Sequence, residues 1–349
     1  MPIGWWQNDS EEYNMSRYAE VDVVETSAET VESTPNTDLS VLNLVTTEEA
    51  RFFKQQVSIL EELGVSSTTV SVPDERVTGE GALAGRSTVD YLRFLPRAIR
   101  ESFGEYDLIH ANYGLTAPAA VLQPNLPVVI SLWGSDLYGR FGPMSKLCAR
   151  LADATIVMSE QMATELGGNP YVIPHGIDLE RFQPADQQAA QEDLGWDPGR
   201  KHVLFPYARG KSVKNAPLAE RVVAAARERL DEPIELQFVT GVSHDEMSMY
   251  MNAADALLLT SDREGSPNSV KEAMACNLPV VATDVGDVRQ RLRGVHHSFV
   301  AHDDADLVDC LVSVLDADVE SNGRDVIAEL RIEQMGERLL SVYRDVLDE

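Results

Sequence analysis

The sequence predicts an α/β protein in which two Rossmann-like domains follow each other along the chain. Short apolar runs alternate with helical stretches in two successive rounds, a pattern typical of parallel sheets covered by helices. Residues 174–199, rich in Pro, Gly and Asp, separate the two rounds and are the expected hinge. The total of 349 residues also suits two domains of ordinary size. Because open parallel sheets bind ligands beyond the carboxyl ends of their strands, the expected site is the cleft between the domains.

The elements of each round are short apolar strands and longer amphipathic helices. The first round has predicted strands at 39–45, 68–72, 107–110, 128–133 and 155–158, with helices at 48–63 and in a stretch that ends near 103. The second round has predicted strands at 202–206, 236–240, 256–260 and 280–283, with helices at 217–230, 245–254 and 268–275. A last helix is predicted at 332–347, where apolar residues recur every three to four positions.

The charge balance is strongly negative, because 57 Asp and Glu residues face 29 Lys and Arg residues and leave a formal net charge of -28. The field of such a chain repels phosphodiester backbones, which excludes nucleic acid as a general partner. A hydrated carboxylate surface keeps proteins soluble in concentrated salt, so we expect the chain to come from a halophilic archaeon. Residues 1–37 are acidic and interleaved with Ser and Thr, and they are predicted to form a disordered leader.

Cysteine usage and hydropathy both bear on the compartment. Cys148, Cys276 and Cys310 are odd in number and far apart, which suits neither a disulfide framework nor a zinc site. The longest apolar runs, such as residues 127–133, are far shorter than the roughly 20 residues needed to span a bilayer. A cytoplasmic protein is therefore expected, with any contact to the inner membrane face peripheral.

The segment with the clearest chemistry follows the predicted strand 256–260. Glu264 and Glu272 bracket a turn and the start of a helix, made of Gly265, Ser266, Pro267, Asn268 and Ser269. Free N–H groups and the positive end of the helix dipole suit a phosphate there. Arg209 and Lys214 follow the first strand of the same half, at the same sheet edge, and would stabilise charge on a departing diphosphate. The alternative is that both cations are solvated and the glutamates cap the helix.

The resemblance to a known family rests on several segments from about residue 39 to the end of the chain. They are Arg209 with 214–215, the segment 264–272, the runs 273–283 and 284–287, and the linker 172–178. Together they resemble glycosyltransferase family 4, whose retaining enzymes have the GT-B architecture. The resemblance implies two domains that face each other across a cleft, with the last helix crossing back to the N-terminal one. The implied domains are residues 38–180 with 332–349 on the acceptor side, and residues 181–331 on the nucleotide-sugar side.

The same resemblance implies the chemistry. Arg209 and Lys214 would bind the donor diphosphate, Glu264 would contact the donor sugar, and Glu272 would hydrogen-bond the ribose. Glu264, Arg209 and Lys214 are thus the catalytic candidates, and Glu272 with residues 265–269 the donor-binding ones. The expected reaction is a retaining, hexosyl-type transfer from a nucleotide-diphosphate sugar to a glycan or lipid-linked hydroxyl, in the synthesis of a cell-surface glycan or glycolipid. It needs no metal ion or other cofactor, because cations and a helix end already neutralise the diphosphate.

Two other functions remain open at this stage. A nucleotide-sugar epimerase of the same two-domain build would convert the donor without an acceptor. A catalytically silent sugar-nucleotide-binding protein is the non-enzyme alternative. The base, the sugar, the acceptor and the oligomeric state cannot be told from the sequence.

The N-terminal half departs from the family pattern. Thr46 and Thr47 stand where many members have a glycine pair, and Trp133 stands where many have a histidine. Trp133 with Gly134 and Asp136 is expected to line the acceptor side, together with His110. The alternatives are a buried Trp133, an Asp136 that caps the next helix and a purely structural His110.

A basic stripe is the one further candidate surface. Arg93, Arg97 and Arg100 recur at helical spacing that places them on one face, although Pro96 disturbs the helix. The stripe is expected to make peripheral contact with an anionic lipid headgroup or a lipid-linked phosphate. Pairing of these arginines with nearby carboxylates is the alternative.

Overall fold

The computed structural model describes residues 38–73, 86–317 and 321–348. The acidic leader expected at residues 1–37 lies outside the described residues. The described chain forms two parallel sheets, one of six strands and one of five, each covered by helices. This arrangement confirms the predicted two-domain α/β class.

The first sheet contains six parallel strands in the order β2-β1-β3-β4-β5-β6. They are β1 (Leu39–Val45), β2 (Val65–Ser71), β3 (Leu108–Ala111), β4 (Val128–Leu132), β5 (Ala154–Val157) and β6 (Tyr171–Val172). The central strands β3, β4 and β5 are buried along their whole length. Strands covered on both faces need continuous apolar runs, which is why these segments were visible in the sequence.

Six helices accompany this sheet. They are α1 (Arg51–Glu62), α2 (Thr88–Glu101), α3 (Ala117–Leu122), α4 (Ser135–Tyr138), α5 (Gly142–Ala149) and α6 (Glu160–Leu166). The connection through α1 runs from β1 to one side of the sheet, and those through α2, α3 and α5 run to the other side. Because such crossovers are right-handed, α1 lies on one face of the sheet and α2, α3 and α5 on the opposite face.

The second sheet contains five parallel strands in the order β11-β10-β9-β7-β8. They are β7 (Lys201–Phe205), β8 (Ile234–Phe238), β9 (Ala256–Leu259), β10 (Val280–Thr283) and β11 (Phe299–Ala301). Its helices are α7 (Gln187–Leu194), α8 (Ala216–Arg227), α9 (His244–Ala253), α10 (Asn268–Ala275), α11 (Val288–Arg291), α12 (Asp304–Asp316) and α13 (Gly323–Ile327).

Two chain segments cross between the domains and are tied to each other. The Ile177 N–H donates to the carbonyl of Leu330 at 2.8 Å, and the Ile332 N–H donates to the carbonyl of Ile177 at 3.1 Å. A Cβ atom at Gly176 would lie 2.6 Å from the Cα of Ile332, so the close approach requires glycine. The buried ammonium of Lys271 donates to the carbonyl of His175 at 2.7 Å. The hinge is therefore fixed to the helix α10.

The last helix, α14 (Ile332–Asp348), belongs to the first domain's core. Its buried residues are Met335, Gly336, Leu339, Leu340, Val342, Tyr343 and Val346. Gly336 lies against Ile59 of α1, where a Cβ atom would be 2.8 Å from a side-chain carbon. The chain thus crosses back to the N-terminal domain as the amphipathic pattern and the family resemblance predict.

The structure contains several elements that were not predicted. The strand β2 begins at Val65 rather than at residue 68, and neither β6 nor β11 was predicted. The helices α3 to α7 and α11 to α13 were not predicted either, and most of them are short. The helix α2 continues through Pro96 to Glu101, so the proline does not end it.

Candidate active site

A cavity of about 330 Å³ lies between the two domains, at the carboxyl ends of β7 and β9. The hinge and both domains contribute to its lining. Its charged and aromatic lining includes Arg51, Phe52, Lys214, His244, Glu264 and Glu272. The segment 264–272 and Lys214, predicted from the sequence to meet at this edge, therefore do meet.

The turn that begins the segment is packed between the domains without room for side chains. A Cβ atom at Gly265 would lie 3.0 Å from the carbonyl oxygen of Trp133. Gly286 has a φ of +58°, and a Cβ atom there would lie 2.4 Å from the carbonyl oxygen of Gly265. The Ser266 hydroxyl donates to a carboxylate oxygen of Asp287 at 2.8 Å. The turn is held from two sides, with its backbone aimed at the cleft.

The N-terminus of α10 offers unpaired backbone donors. Its first residue is Asn268, and the preceding Pro267 makes no side-chain cap. The Tyr207 hydroxyl is hydrogen-bonded to the Ser269 hydroxyl in the first turn. Burial raises the pKa of Tyr207, so its hydroxyl stays protonated. Free N–H groups at the start of a helix and the positive end of its dipole suit an anion, which is the chemistry that the sequence predicts here.

Lys214 and Glu264 form an ion pair inside the cleft. Their side chains are 9% and 15% exposed. The Lys214 ammonium also lies 3.8 Å from the ring centroid of Tyr207. Burial lowers the pKa of Lys214, and the carboxylate of Glu264 opposes that shift. The lysine therefore stands beside the helix terminus with its charge already partnered.

Arg209 does not lie with Lys214 in this structure. Its guanidinium stands 4.1 Å from the ring centroid of Phe238, and 3.6 Å from a carboxylate oxygen of Glu220. The side chain is 68% exposed. Instead, Arg51 at the start of α1 is the second cation of the cavity lining. Its position just after the strand β1, following Thr46 and Thr47, was the only sequence signal for it.

Glu272 is hydrogen-bonded to His244, a residue outside every motif identified in the sequence. Its Oε1 lies 3.0 Å from Nε2 of His244, the first residue of α9. The two side chains are 12% and 13% exposed. The sequence around His244 shows only the helix cap formed by Ser243 and Glu246, so its role could not be predicted.

The residues expected on the acceptor side lie in two places. Trp133 and Gly134 lie next to the cavity, whereas Asp136 and His110 are buried in the domain interior. The Trp133 indole N–H donates to the carbonyl of Asn112 at 2.9 Å. Its ring centroid lies 4.1 Å from that of Phe52 and 5.7 Å from that of His175, both of which line the cavity. Trp133 therefore supports the cavity wall from behind. Gly134, with a φ of +109°, touches Gly265 across the cleft.

Asp136 is buried and fully engaged with backbone. Its oxygens accept N–H groups of Trp133, Gly134 and Gly114, each at 2.9 Å. Burial raises the pKa of Asp136, and these hydrogen bonds oppose the shift. Asp136 lies in the first turn of α4 and holds the turn before that helix, so its role is structural, as in the alternative, although it is not the cap of the helix.

His110 is also interior. Its Nδ1 lies 2.7 Å from the Tyr343 hydroxyl and its Nε2 lies 2.8 Å from the Ser131 hydroxyl. Burial lowers the pKa of His110 to about 3, so the ring is neutral. The structure places it between β4 and α14, away from the cleft, where it serves packing.

The described part of the chain has neither a grouped set of metal-binding side chains nor a helix able to span a membrane. Within residues 38–73, 86–317 and 321–348, no three His, Cys, Asp or Glu side chains are grouped to hold a metal ion. Across the same residues, no helix combines the length and apolar character needed to cross a membrane.

Two family models match the chain, one in each domain. The model described as Glycosyltransferase Family 4 matches residues 56–181, and that described as Glycosyl transferases group 1 matches residues 211–317. The D-inositol 3-phosphate glycosyltransferase of Pseudarthrobacter chlorophenolicus is 24% identical over 69% of this chain and 75% of its own length. The lipopolysaccharide core biosynthesis mannosyltransferase LpsB of Rhizobium meliloti is 27% identical over 84% of this chain and 96% of its own length.

Solved structures share the fold. Sucrose-phosphate synthase from Thermosynechococcus elongatus matches with a TM-score of 0.70 at 18% identity, over 89% of this chain and 99% of its own. The Anabaena protein HepE, solved in complex with UDP and glucose, matches with a TM-score of 0.65 at 15% identity, over 88% of this chain and 100% of its own.

Proposed function

The chain belongs to glycosyltransferase family 4, and from that premise we propose that its cleft moves a sugar from a nucleotide-diphosphate sugar to an acceptor hydroxyl with retention of configuration. The observation that carries the proposal is the meeting of Lys214, Glu264 and Glu272 around the N-terminus of α10. A diphosphate against the helix terminus places its sugar toward Glu264 and its ribose toward Glu272. The neighbour HepE, solved in complex with UDP and glucose, shows that a chain of this fold can hold a nucleoside diphosphate and a sugar.

Departure of the nucleoside diphosphate is the step that the site assists. The bond between the sugar's anomeric carbon and the phosphate oxygen breaks, and negative charge grows on the diphosphate. Donors fixed in advance stabilise such charge without reorganising. The lysine has three N–H donors, so the contact to Glu264 leaves others for phosphate. Since the acceptor attacks from the face that the diphosphate leaves, the leaving phosphate oxygen is the nearest base for the acceptor's proton.

Arg209 joins the diphosphate only after its side chain moves. The residue lies in the loop after β7, and its contacts to Glu220 and Phe238 are those of an exposed side chain. Exposed ion pairs contribute about 0–1 kcal/mol, so donor binding can replace this one. The variant Lys211→Gln removes a charge from an exposed neighbour and serves as the control. If Arg209 moves to the diphosphate, Arg209→Gln should lower turnover more than Lys211→Gln does; if its guanidinium stays in place, the two variants should have equal turnover.

Release of nucleoside diphosphate from a panel of sugar nucleotides, with and without acceptor sugars and lipids, tests the function. Acceptor-dependent release is expected for the parent protein. Lys214→Ala should lower turnover by about 10²–10³, the usual cost of losing one such stabilising group. Lys211→Ala serves as the matched control. Conversion of donor without acceptor would instead indicate an epimerase, and binding without conversion a silent binding protein.

We also propose a lipid-linked acceptor reached from a membrane surface. Arg93, Arg97 and Arg100 share the outward face of α2, and among the described residues none of them has a carboxylate within ion-pairing distance. Val89 and Leu92, 48% and 64% exposed, lie on the same helix. In a chain of net charge -28, these three arginines complement an anionic bilayer, and Asp90 and Glu101, both described residues of the same helix, form no ion pair with them. Each arginine near such a surface adds about 1 kcal/mol.

The neighbouring helices extend the surface. The helix α3 packs against both α2 and α5. Of the nine large apolar side chains that are well exposed in the described residues, seven lie on or beside these three helices: Val89, Leu92, Phe103, Leu122, Phe141, Leu147 and Leu151. We infer from this concentration that the exposed sides of the three helices form one interaction surface.

Sedimentation with vesicles tests the contact, at the lowest KCl concentration that keeps the protein folded. Vesicles containing phosphatidylglycerol should bind the parent, and pure phosphatidylcholine vesicles should not. The triple variant Arg93→Gln, Arg97→Gln, Arg100→Gln should lose binding. The control removes three exposed arginines of the second domain, Arg200, Arg221 and Arg229, by the same change. An equal loss of vesicle binding in both variants would mean that binding depends only on net charge, and would refute the proposed membrane contact of α2.

A further inference from the structure

Two side chains outside the set that the family resemblance marks are linked to Glu272 in series, His244 directly and Arg181 through His244. Nε2 of His244 lies 3.0 Å from Oε1 of Glu272, and Nδ1 of His244 lies 3.0 Å from NH1 of Arg181. Arg181 is itself held by carboxylates, with its Nε 3.0 Å from Asp245 and 3.7 Å from Asp178. These five polar side chains therefore form a connected network that ends on Glu272.

The chemistry of this chain fixes the position of one proton. A guanidinium only donates hydrogen bonds, so Nδ1 of His244 must accept from Arg181. An imidazole whose Nδ1 accepts carries its proton on Nε2, which then donates to Glu272. A second ring proton would point from Nδ1 at the Arg181 guanidinium. The tautomer that serves Glu272 is therefore selected by Arg181.

Packing fixes the ring plane as well. The ring of Phe182 meets the His244 imidazole edge to face, with centroids 4.9 Å apart. Phe182 is fully buried, and His244 is 13% exposed. Ring orientation and tautomer are thus both determined before any ligand arrives. Arrangement in advance is what reduces the entropic cost of binding.

We infer that His244 is a positioning residue for donor binding, acting through Glu272 on the ribose hydroxyls of the nucleotide. With Oε1 tied to His244, the carboxylate presents its other oxygen to the cavity, where a hydroxyl can donate to it. The imidazole contacts Glu272 and Arg181, Arg181 in turn contacts Asp178 and Asp245, and His175 interacts electrostatically with the imidazole. This inference rests on the proposed function, because it assumes that a nucleotide occupies the cleft.

Calorimetric titration with paired ligands tests the inference. The probes are UDP, GDP, ADP, CDP and dTDP, each compared with its 2′,3′-dideoxy form. The parent should bind at least one probe, and should bind the dideoxy form less tightly. His244→Phe keeps a ring against Phe182 but removes the donor. It should weaken binding of the hydroxylated probe about tenfold or more, the effect of losing a hydrogen bond to a charged group, and leave the dideoxy probe unchanged.

Two further variants separate positioning from general damage. His244→Gln retains an N–H donor at this position and should restore part of the difference between the paired ligands. In a Glu272→Ala background, His244→Phe should have no additional effect. Equal weakening of both paired ligands by His244→Phe would overturn the positioning role. Failure of the parent to bind any probe would instead overturn the proposed function.

Discussion

Acidification should destabilise the N-terminal domain through His110. Burial lowers the pKa of this side chain to about 3, whereas an exposed histidine titrates near 6.5. Below pH 6.5, His110 therefore binds a proton in the unfolded chain but stays neutral in the folded chain. The resulting stability is fully present above pH 6.5 and is lost as the pH falls toward 3. Between pH 8 and pH 5 the loss from one such group is about 2 kcal/mol.

The variant His110→Asn isolates this contribution, because asparagine does not titrate. Urea unfolding followed by tryptophan fluorescence, at pH 8 and pH 5 in molar KCl, gives the free energy of unfolding for both proteins. The parent should lose about 2 kcal/mol more than the variant between the two pH values. His175, whose pKa burial also lowers to about 3, is present in both proteins and cancels.

A partner variant checks the hydrogen bond that crosses to α14. Tyr343→Phe removes the hydroxyl that lies 2.7 Å from Nδ1 of His110. Leaving a buried polar atom unpaired costs about 1–3 kcal/mol, at pH 8 as well as at pH 5.

Should parent and His110→Asn lose the same stability on acidification, the ring would have to be accessible to solvent in the folded protein. That result would refute its interior placement and return His110 to the acceptor candidates.

Three other outcomes are expected. Gly286→Ala should lower both stability and turnover, because its Cβ atom would lie 2.4 Å from the Gly265 carbonyl oxygen. Gly168→Ala is the control, because Gly168 also has a positive φ but has open space around it. It should lower the free energy of unfolding by about 1–2 kcal/mol and leave turnover unchanged. Arg51→Gln should raise the KM for donor relative to Lys211→Gln in a steady-state assay, since only Arg51 lines the cavity. The unfolding temperature should rise steeply between 0.1 M and molar KCl, and a flat profile would contradict a halophilic origin.

The fold was predictable where burial on both sheet faces imposes continuous apolar runs. The strands β1, β3, β4 and β9 are of this kind. The strand β6 has two residues, too few for any pattern, and pairs only because β5 offers its edge. Short edge strands of this kind depend on a neighbour, which a single sequence does not reveal.

The candidate site was predictable as far as sheet topology determines it. Lys214 and Glu264 both follow strands of one parallel sheet, so their strand ends share one edge. His110 also lies near the carboxyl end of a predicted strand, β3, which is why it was expected at the cleft. Its hydrogen-bond partner Tyr343 is 233 positions away in the sequence, so the sequence did not reveal that it is interior. His244 and Arg181 are 63 positions apart. Whether such side chains line a cleft or fill an interior depends on tertiary packing, which spacing does not encode.

The charges of the cleft show how so acidic a protein can hold an anionic donor. Among the described residues that line the cavity, two are cations, Arg51 and Lys214, and three are carboxylates, Asp178, Glu264 and Glu272. Side-chain charge alone therefore offers a diphosphate no attraction, and the N-terminus of α10 must supply part of it. In the proposed complex, the remainder comes from the N–H donors of Lys214 that its contact to Glu264 leaves free. Because the ion pair holds Lys214 beside Glu264, the proposed diphosphate contact and the proposed sugar contact are neighbours, and a change at either side chain should weaken both.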